Sequence, residues 1–432
     1  MRASIAAVAL LSLPLAGCQG AGQRGSPLPL ADFASMRASN ENVIHSFSGP
    51  PLGEIPESNP IVDASGRLYG NTVYGGTSQA CGSACGTIFA LSQVGGSWKE
   101  TTLWSFDLTH GAYPAYPLVA DSAGNLYGAT DVGGVEGVAY RLARSAKGWR
   151  FGVLHNFKGD YDGAQPESNL IFDKHGNLYG TTASGGTGGS GGGGTVYELI
   201  HPGSHWTEQI LYRFSAYGDG ATPQAGVIFG RDGSLYGTTQ YGGNTLCPSG
   251  CGVVYKLAPA GKGKWMETVL HAFDGSDGES SVAGLVADGS GNLYGTANLG
   301  GLGVGCHGGC GTLFEMTPSS GSRWSFSVLH DFAIKTGGGP LGNMVFDAAG
   351  NLYGTTVIGG NLKGCLKAGC GVVFELSPRS HNQWKYTVLH AFNDTPDGAV
   401  PAGLTIGANG KLYGTTRGGG ELSLGTVFEV TP

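Results

Sequence analysis

The stretch Gly-Asn-Leu-Tyr-Gly-Thr-Thr occupies residues 176–182 and returns unchanged at residues 350–356. Its central Leu-Tyr-Gly occurs seven times, at intervals of 52 to 60 residues. The tyrosines of the seven copies are Tyr69, Tyr127, Tyr179, Tyr236, Tyr294, Tyr353 and Tyr413. Repetition at a period of this length is typical of arrays and propellers, in which each repeat is one structural unit.

Each copy is followed by the same companions. A Gly-Gly pair comes first, then an extended run such as Gly-Thr-Val-Tyr-Glu-Leu at 194–199, a polar connector, and a Trp-led segment such as 265–273. In that segment Trp265, Val269 and His271 fall on one side of an extended chain. Four short strands per repeat, separated by glycine-rich turns, predict a radial array of four-stranded blades.

The ends of the chain predict how the array closes. Residues 43–47 match the outer-strand pattern but lack the other three strands of a blade, whereas residues 393–432 carry three strands and lack the outer one. Sharing one blade between the two ends removes both exposed edges. We therefore predict an all-β, seven-bladed β-propeller of four-stranded antiparallel blades over residues 41–432. Six blades with a stray repeat, or an open solenoid, are the alternatives.

The repeated motifs resemble those of the bacterial choice-of-anchor tandem-repeat proteins of the GloVer type, and the resemblance covers nearly all of the chain after the first 40 residues. These proteins share the repeat and differ in how they are tethered to the envelope. The resemblance implies a repeat fold and a surface location, and it implies no activity.

Composition restricts the class of function. Glycine accounts for 81 of 432 residues, against a usual ~7 percent, which indicates many turns. Hydrophobic residues make up 40%, enough for a packed core, while charged residues make up only 13% and the net charge is -7. The scarcity of Lys and Arg argues against a nucleic-acid-binding protein.

The first residues predict export. Arg2 precedes a short apolar stretch that ends in Leu15-Ala16-Gly17-Cys18, which resembles a lipobox. We predict a lipoprotein signal peptide at 1–17, lipidation of Cys18, and a flexible tether over 18–40. Because Gln19 follows the cysteine, the sorting pattern points to the outer membrane of the bacterial cell envelope. The alternative is an ordinary signal peptide with an incidental Cys18.

The other eight cysteines form four local pairs, each between the Gly-Gly and the following strand of its own repeat. An even number in an exported protein predicts disulfides. The pairs are Cys81 with Cys85, Cys247 with Cys251, Cys306 with Cys310, and Cys365 with Cys370. Zinc is the alternative, but it needs four ligands and these pairs belong to different blades.

Comparison among the seven repeats identifies positions with a structural role. One outer-strand position is filled by His45, Trp104, His155, Tyr212, His271, His330 and His390. This exchange suits a flat packing group better than a general base. Five aspartates precede the Gly-Asn-type turns and are predicted to accept backbone N–H groups there: Asp63, Asp121, Asp173, Asp288 and Asp347. The invariant Tyr of Leu-Tyr-Gly is predicted to pack between blades.

The two faces of the predicted ring differ in charge. The crossovers between blades and the loops between second and third strands share one face, and the crossovers are acidic. The candidate binding face carries Asp107, Asp160, Asp162, Asp219, Asp274, Asp277, Asp394 and Asp397. The connectors of the opposite face carry Arg144, Lys147, Lys262, Lys264, Arg323 and Arg379. A merely solvated rim is the alternative, and calcium binding at 159–163 or 274–278 stays open.

We predict a non-catalytic binding or scaffolding module for glycan or an envelope protein. We expect it to be monomeric and to contact the membrane only through its lipid. No cofactor other than calcium is expected, and no nucleic acid. The alternative is a polysaccharide-acting lyase or hydrolase with a site at the mouth of the central channel. Polar residues that break the repeat and meet an acid there would favour the enzyme, and Lys335, Asp331 and His110 are the candidates. The ligand and the outward-facing side are not defined by the sequence.

Overall fold

The structure is a computed structural model that describes residues 35–36 and 40–432, except 83, 188–191, 202–204, 320–322 and 381–382. The predicted signal peptide, Cys18 and most of the predicted tether lie outside the described residues. In the part of the chain that is described, no helix has the length and apolarity needed to cross a membrane.

Seven blades follow one another along the chain, each built of four strands. Their first, innermost strands are Ile61–Val62, Val119–Ala120, Ile171–Phe172, Ile228–Phe229, Val286–Ala287, Val345–Phe346 and Ala399–Ile406. The second strands are Leu68–Thr72, Leu126–Thr130, Leu178–Thr182, Leu235–Thr238, Leu293–Ala297, Leu352–Ile358 and Leu412–Gly418. The third strands are Thr87–Val94, Val138–Ser145, Thr195–Ile200, Val253–Gly261, Thr312–Pro318, Val372–Pro378 and Thr426–Thr431. The fourth strands are Ser97–Ser105, Gly148–Asn156, Thr207–Arg213, Lys264–Ala272, Trp324–Asp331, Trp384–Ala391 and Asn40–Ser46.

Strands pair in chain order and antiparallel within each blade, which confirms the predicted seven-bladed propeller. Blade 7 takes its fourth strand from the beginning of the chain, since Asn40–Ser46 pairs with Thr426–Thr431. The predicted closure is therefore confirmed, with the strand starting a few residues before position 43.

Three short strand pairings are added to this frame. Gly338–Pro340 extends the second strand of blade 6, and Gly53–Glu54 pairs with Tyr74–Gly75 beside blade 1. Ser35–Met36, inside the segment predicted as a tether, lies parallel to Trp384–Ala391 on the outer edge of blade 6. A 3-10 turn, Cys365–Lys367, follows the second strand of blade 6.

Aromatic side chains of the third strands fill the space within and between blades. They are fully buried, and they are Phe89, Tyr140, Tyr197, Tyr255, Phe314, Phe374 and Phe428. The glycine of Leu-Tyr-Gly makes room for each ring: a Cβ on Gly128 would lie 2.5 Å from Tyr140 Oη. The repeat therefore requires glycine at this position because any side chain would overlap the ring.

The tyrosine of Leu-Tyr-Gly packs against the tryptophan that leads the next blade's fourth strand. Tyr69 meets Trp149 at 6.2 Å, and Tyr294 meets Trp384 at 5.8 Å between ring centroids, both edge to face. The predicted role between blades is confirmed.

The turn aspartates also act as predicted. Asp121 Oδ1 accepts the N–H groups of Ala123 and Asn125, and the aspartates at 63, 173, 288 and 347 repeat this pattern. These bonds fix the tight turn between first and second strands on the face opposite the crossovers.

The four predicted cysteine pairs are disulfides, with sulfur–sulfur distances of 2.02 to 2.08 Å. The second cysteine of every pair is completely buried: Cys85, Cys251, Cys310 and Cys370. Disulfides persist in oxidising compartments, so they indicate an extracellular or periplasmic protein.

Candidate functional site at the channel mouth

One face of the ring carries both the crossovers and the loops between second and third strands, as predicted. In every blade the second glycine of the Gly-Gly pair donates its N–H to a crossover carbonyl, for example Gly134 to Leu108 O at 2.8 Å and Gly420 to Asp394 O at 2.8 Å. We call this side the loop face. The repeated hydrogen bond holds the two loop sets together as one surface.

The predicted acidic residues lie at the outer rim of the loop face, directly after the fourth strands. Six of the eight accept hydrogen bonds within their own loops or from the outer strand: Asp107, Asp162, Asp219, Asp274, Asp277 and Asp397. Asp160 and Asp394 occupy turn positions with φ of 42° and 79°. The loop acids therefore have a structural use, and a binding role for them, with calcium or a partner, stays a prediction.

At the shared outer-strand position, His271, His330 and Trp104 stack on rings of the next blade, as predicted for a flat packing group, whereas His45 and His390 hydrogen-bond carboxylates. His271 stacks on Phe326 of the next blade with ring centroids 3.7 Å apart, and His330 stacks on Tyr386 at 3.9 Å. Trp104 takes the same position in blade 1 and stacks on Phe151 at 4.5 Å.

Exposed apolar side chains stand at the tips of the same loops. They are between 58% and 101% exposed, and they are Val135, Tyr161, Tyr217, Leu246, Leu302, Val304, Leu366 and Leu422. Apolar groups in this number on one face are a feature of binding surfaces, since water disfavours them.

A ring of seven residues with left-handed backbone surrounds the inner part of the loop face. Their φ angles lie between 55° and 63°, and they are Ile55, Tyr113, Gln165, Thr222, Ser280, Gly339 and Val400. Each donates its N–H to a carbonyl of the preceding blade, as Tyr113 does to Cys85 O at 3.0 Å. β-Branched residues rarely adopt this conformation, so the packing between blades imposes it. It turns the following residues toward the axis.

Those following residues line a cavity of about 260 Å³ at the loop-face end of the central channel. Blades 5 to 7 contribute the apolar Val282, Leu341 and Ala402. Blade 6 also contributes Asn343, and blade 7 contributes Arg417. The remaining polar lining groups are Glu57, Ser58, Asn59, Tyr116, Asn169 and Gln224. The mouth is therefore lined by apolar and hydrogen-bonding groups together.

The charged groups of the lining are close together without being fully paired. Arg417 Nη2 lies 3.7 Å from Glu57 Oε2, beyond hydrogen-bond distance, and Arg417 Nε is buried with no hydrogen-bond partner among the described residues. Gln224 donates its amide N–H to Glu167 Oε2. The guanidinium group and the Glu57 carboxylate thus keep hydrogen-bonding capacity for a ligand.

A carboxyl pair lies beside the same cavity. Burial, together with the neighbouring Glu167 carboxylate, raises the pKa of Asp131 to about 6. Burial and Glu167 also raise the pKa of Tyr116 well above its usual value. Asp131 Oδ1 is buried with no hydrogen-bond partner among the described residues. Perturbed carboxyl groups of this kind gather at functional sites.

Lys335, Asp331 and His110, the candidates whose convergence with an acid would favour an enzyme, are not among the residues that line the cavity. His110 Nδ1 pairs with Asp107 at 2.9 Å, and Asp331 Oδ1 accepts the N–H of Leu302 at 2.7 Å, both on the rim. The reason is geometric: these residues follow the outer strand immediately, and the chain needs several more residues to reach the axis.

The sequence does contain a signal for the residues at the mouth. The position after the crossover proline, which is replaced by Ser281 in the fifth repeat, is Glu57, Ala115, Glu167, Gln224, Val282, Leu341 and Ala402 in the seven repeats. The position that ends the second strand likewise holds Asp131 in one repeat and Arg417 in another. At these positions some repeats carry a charged residue where the other repeats carry an uncharged one.

Fold, disulfides and channel mouth define a disulfide-bonded β-propeller of tandem repeats with a pocket of mixed polarity at the loop-face end of its axis. The chain belongs to the Gloeobacter/Verrucomicrobia repeat family, which matches residues 33–191, 84–305 and 187–428. The curated proteins contain no match to this chain.

Solved structures with the same fold are distant in sequence. The periplasmic gluconolactonase of Pseudomonas aeruginosa is 14% identical, with a TM-score of 0.51 over 84% of this chain and 96% of that one. A provisionally assigned 6-phosphogluconolactonase from Bacteroides uniformis is 15% identical, with a TM-score of 0.50 over 78% and 86%. The extracellular domain of a provisionally assigned hybrid two-component system from B. thetaiotaomicron is 12% identical, with a TM-score of 0.51 over 91% and 41%. At these identities the likeness shows the fold alone.

Proposed function

We propose that this is a lipid-anchored protein of the bacterial cell envelope whose propeller binds a saccharide at the channel mouth without cleaving it. The observation that carries the proposal is a mouth lined by both apolar and hydrogen-bonding groups. A sugar ring has the matching character, with hydroxyl groups around its edge and C–H groups on its faces. Carboxylate, amide and guanidinium groups can each bond two neighbouring hydroxyls.

The size of the cavity refines the proposal. At about 260 Å³ it lies near the lower limit of the usual ligand pockets, roughly 300 to 1,000 Å³. This volume suits one sugar residue at the end of a chain better than a chain passing through. The exposed apolar loop tips around the mouth then offer further contact area for the rest of the glycan or for a protein that carries it.

The anchor and the location belong to the same proposal. The Leu-Ala-Gly-Cys motif supports a signal peptide cleaved before Cys18 and a lipid on that cysteine, in an outer-membrane lipoprotein with a choice-of-anchor architecture. The propeller acts as a monomer, tethered by residues 18–40. Labelling with radioactive palmitate tests the anchor, and Cys18→Ser is expected to abolish the label.

A second candidate, a polysaccharide lyase or hydrolase, is favoured by one observation, the Asp131 and Glu167 pair. Two neighbouring carboxyl groups, one with a raised pKa, are a usual means of general acid and base catalysis on glycans. The pair lies beside the cavity, so the two proposals concern the same pocket and differ only in whether a bond is broken.

One experiment separates the candidates. The purified protein is incubated with a panel of bacterial and plant polysaccharides, and both retention on the glycan and new chain ends are measured in the same samples. We expect retention without chain ends, and an approximately 10-fold or greater loss of retention in Glu57→Gln. Asp107→Asn, a change at the rim, serves as the matched control and is expected to bind normally.

Other outcomes would contradict the binding module. New chain ends that disappear in Glu167→Gln would make the protein an enzyme. Neither retention nor cleavage, or equal losses in Glu57→Gln and Asp107→Asn, would exclude the mouth as a saccharide site and direct the search to protein partners.

A further inference from the structure

The outer strands of neighbouring blades meet in a repeated pair of side chains. The His, Trp or Tyr of one fourth strand faces a residue of the next fourth strand, and that second position is a carboxylate in four blades and aromatic in three. The carboxylates are Glu41, Glu100, Glu208 and Glu267, and the aromatic residues are Phe151, Phe326 and Tyr386. Where both partners are rings they stack, as described for His271 and Phe326.

The four pairs that contain a glutamate differ in the other polar side chains at the same interface. Between blades 7 and 1, His45 Nε2 bonds Glu100 Oε2 directly at 2.9 Å. Between blades 3 and 4 the ring belongs to Tyr212 and bonds Asp219, so no imidazole is available. Only two of the seven interfaces combine an imidazole, a crossover aspartate and a glutamate among the described residues: His155 with Asp162 and Glu208, and His390 with Asp397 and Glu41.

The first of these trios has the spacing of metal ligands. His155 Nε2 lies 3.4 Å from Asp162 Oδ2 and 3.6 Å from Glu208 Oε2. Both distances exceed those of normal hydrogen bonds. They are close to the separation of about 3.3 Å expected between two ligand atoms placed tetrahedrally around an ion at roughly 2.0 to 2.1 Å. In the other trio His390 Nε2 bonds Asp397 Oδ2 at 3.0 Å, which is a hydrogen-bond distance.

Hydrogen bonding within the first trio is also incomplete. His155 Nε2 and Glu208 Oε1 are buried without a hydrogen-bond partner among the described residues, and the Glu208 side chain is only 9% exposed. An uncompensated buried carboxyl group is costly unless it is paired or bound to a cation.

The surroundings orient the three groups toward one point. Asp162 Oδ1 accepts the Lys158 N–H at 2.9 Å, which leaves Oδ2 facing His155. The imidazole packs edge to face on Phe157 at 4.7 Å, which fixes the plane of its ring. Supporting contacts of this kind are what a metal site needs beyond its ligands.

We propose that His155, Asp162 and Glu208 bind a divalent transition-metal ion that ties blade 2 to blade 3. One imidazole nitrogen and two carboxylate oxygens suit Zn²⁺ or Mn²⁺ better than Ca²⁺, which takes six to eight oxygen ligands. The two carboxylates balance the charge of the ion, and water completes its coordination. The site lies on the rim, so this proposal is independent of the saccharide pocket.

Isothermal titration calorimetry with Zn²⁺ tests the proposal. Reducing agent is left out so that the disulfides stay closed. We expect one Zn²⁺ per chain, at least about 100-fold weaker binding in Glu208→Gln, and a melting temperature raised by Zn²⁺ in the wild type alone. Glu208→Phe copies the ring pair already used by His271 and Phe326, so it should fold and bind no ion at this site. Glu267→Gln, at the equivalent position in blade 4, is the matched control and should bind normally.

Three results would overturn the proposal. They are no Zn²⁺ binding by the wild type, unchanged binding by Glu208→Phe, and binding that is lost in Asp397→Asn but retained in Glu208→Gln, which would assign the ion to the other trio. Ca²⁺ is titrated in parallel, and a preference for Ca²⁺ over Zn²⁺ would contradict the assignment of a transition metal.

Discussion

At the scale of single residues, the same repeat position can either stabilise or destabilise the ring. Glu100 accepts a hydrogen bond from His45 and from the Gly53 N–H. Glu267 holds the equivalent position in blade 4, but Tyr212 bonds Asp219 instead, and Glu267 Oε1 is buried with no hydrogen-bond partner among the described residues. Burial, with Asp219 adding to it, raises the pKa of Glu267 to about 7.

This raised pKa has a predicted effect on stability. Between the usual value of 4.5 and about 7 the folded state binds more protons at Glu267 than the unfolded state, so the stability contributed by this group falls as pH rises through 7. Glu267→Gln is therefore expected to raise the free energy of unfolding at pH 8 by on the order of 1 kcal/mol, after allowance for partial exposure, and to change it little at pH 5. Thermal unfolding at both pH values measures the difference.

Glu100→Gln is the control for that prediction. It removes a hydrogen-bonded carboxylate at the equivalent position, so its melting temperature should fall at pH 8. If the two variants change in the same direction at pH 8, the distinction drawn between the two carboxylates is wrong.

At the scale of elements, the disulfide loops and the crossovers are joined by one hydrogen bond that does not require cysteine. Cys310 O accepts the Gly339 N–H at 2.9 Å, while in blades without a disulfide Glu136 O and Leu424 O accept the equivalent N–H groups of Gln165 and Ile55. The disulfides therefore reinforce a connection that the backbone makes in every blade.

Loss of one disulfide should consequently weaken the fold without opening the ring. Replacing both Cys306 and Cys310 by serine is expected to cost about 2 kcal/mol, because the bond closes a loop of only a few residues. The melting temperature should fall while the circular dichroism of the folded state stays unchanged. Unfolding of the variant at room temperature would show that the bond is essential to blade 5.

At the scale of the whole molecule, stability depends on the strand contributed by the beginning of the chain. Asn40–Ser46 covers the edge of Thr426–Thr431, buries Ile44, and brings His45 to Glu100 of blade 1. It thereby joins blade 7 to the first blade of the ring. An uncovered strand edge is prone to pair with other chains.

Removing residues 1–46 is therefore expected to lower the melting temperature by well over about 5 °C and to cause association through the exposed edge. Thermal unfolding and size-exclusion chromatography measure both effects. A chain that lacks only residues 1–34 keeps the strand and should behave as the intact protein. Equal stability of the two shortened chains would contradict closure by this strand.

The amino-acid sequence by itself determined the number of blades, the order of strands, the shared blade, the cysteine pairs and the turn aspartates. These are local features repeated seven times, so each copy supports the assignment of the others. The Leu-Tyr-Gly motif, for instance, combines a buried ring contact and a glycine whose Cβ would overlap the next strand, and both requirements act within one blade.

The tertiary structure alone decided the candidate sites. Arg417 and Glu57 come from opposite ends of the chain, and Glu208 reaches His155 from the neighbouring blade, so no local pattern connects them. Ring closure brings such residues together across the axis or across an interface, where burial removes water and leaves charged groups to find partners. The side chains that differ from the repeat pattern therefore depend, for their chemical properties, on neighbours that only the closed ring places beside them.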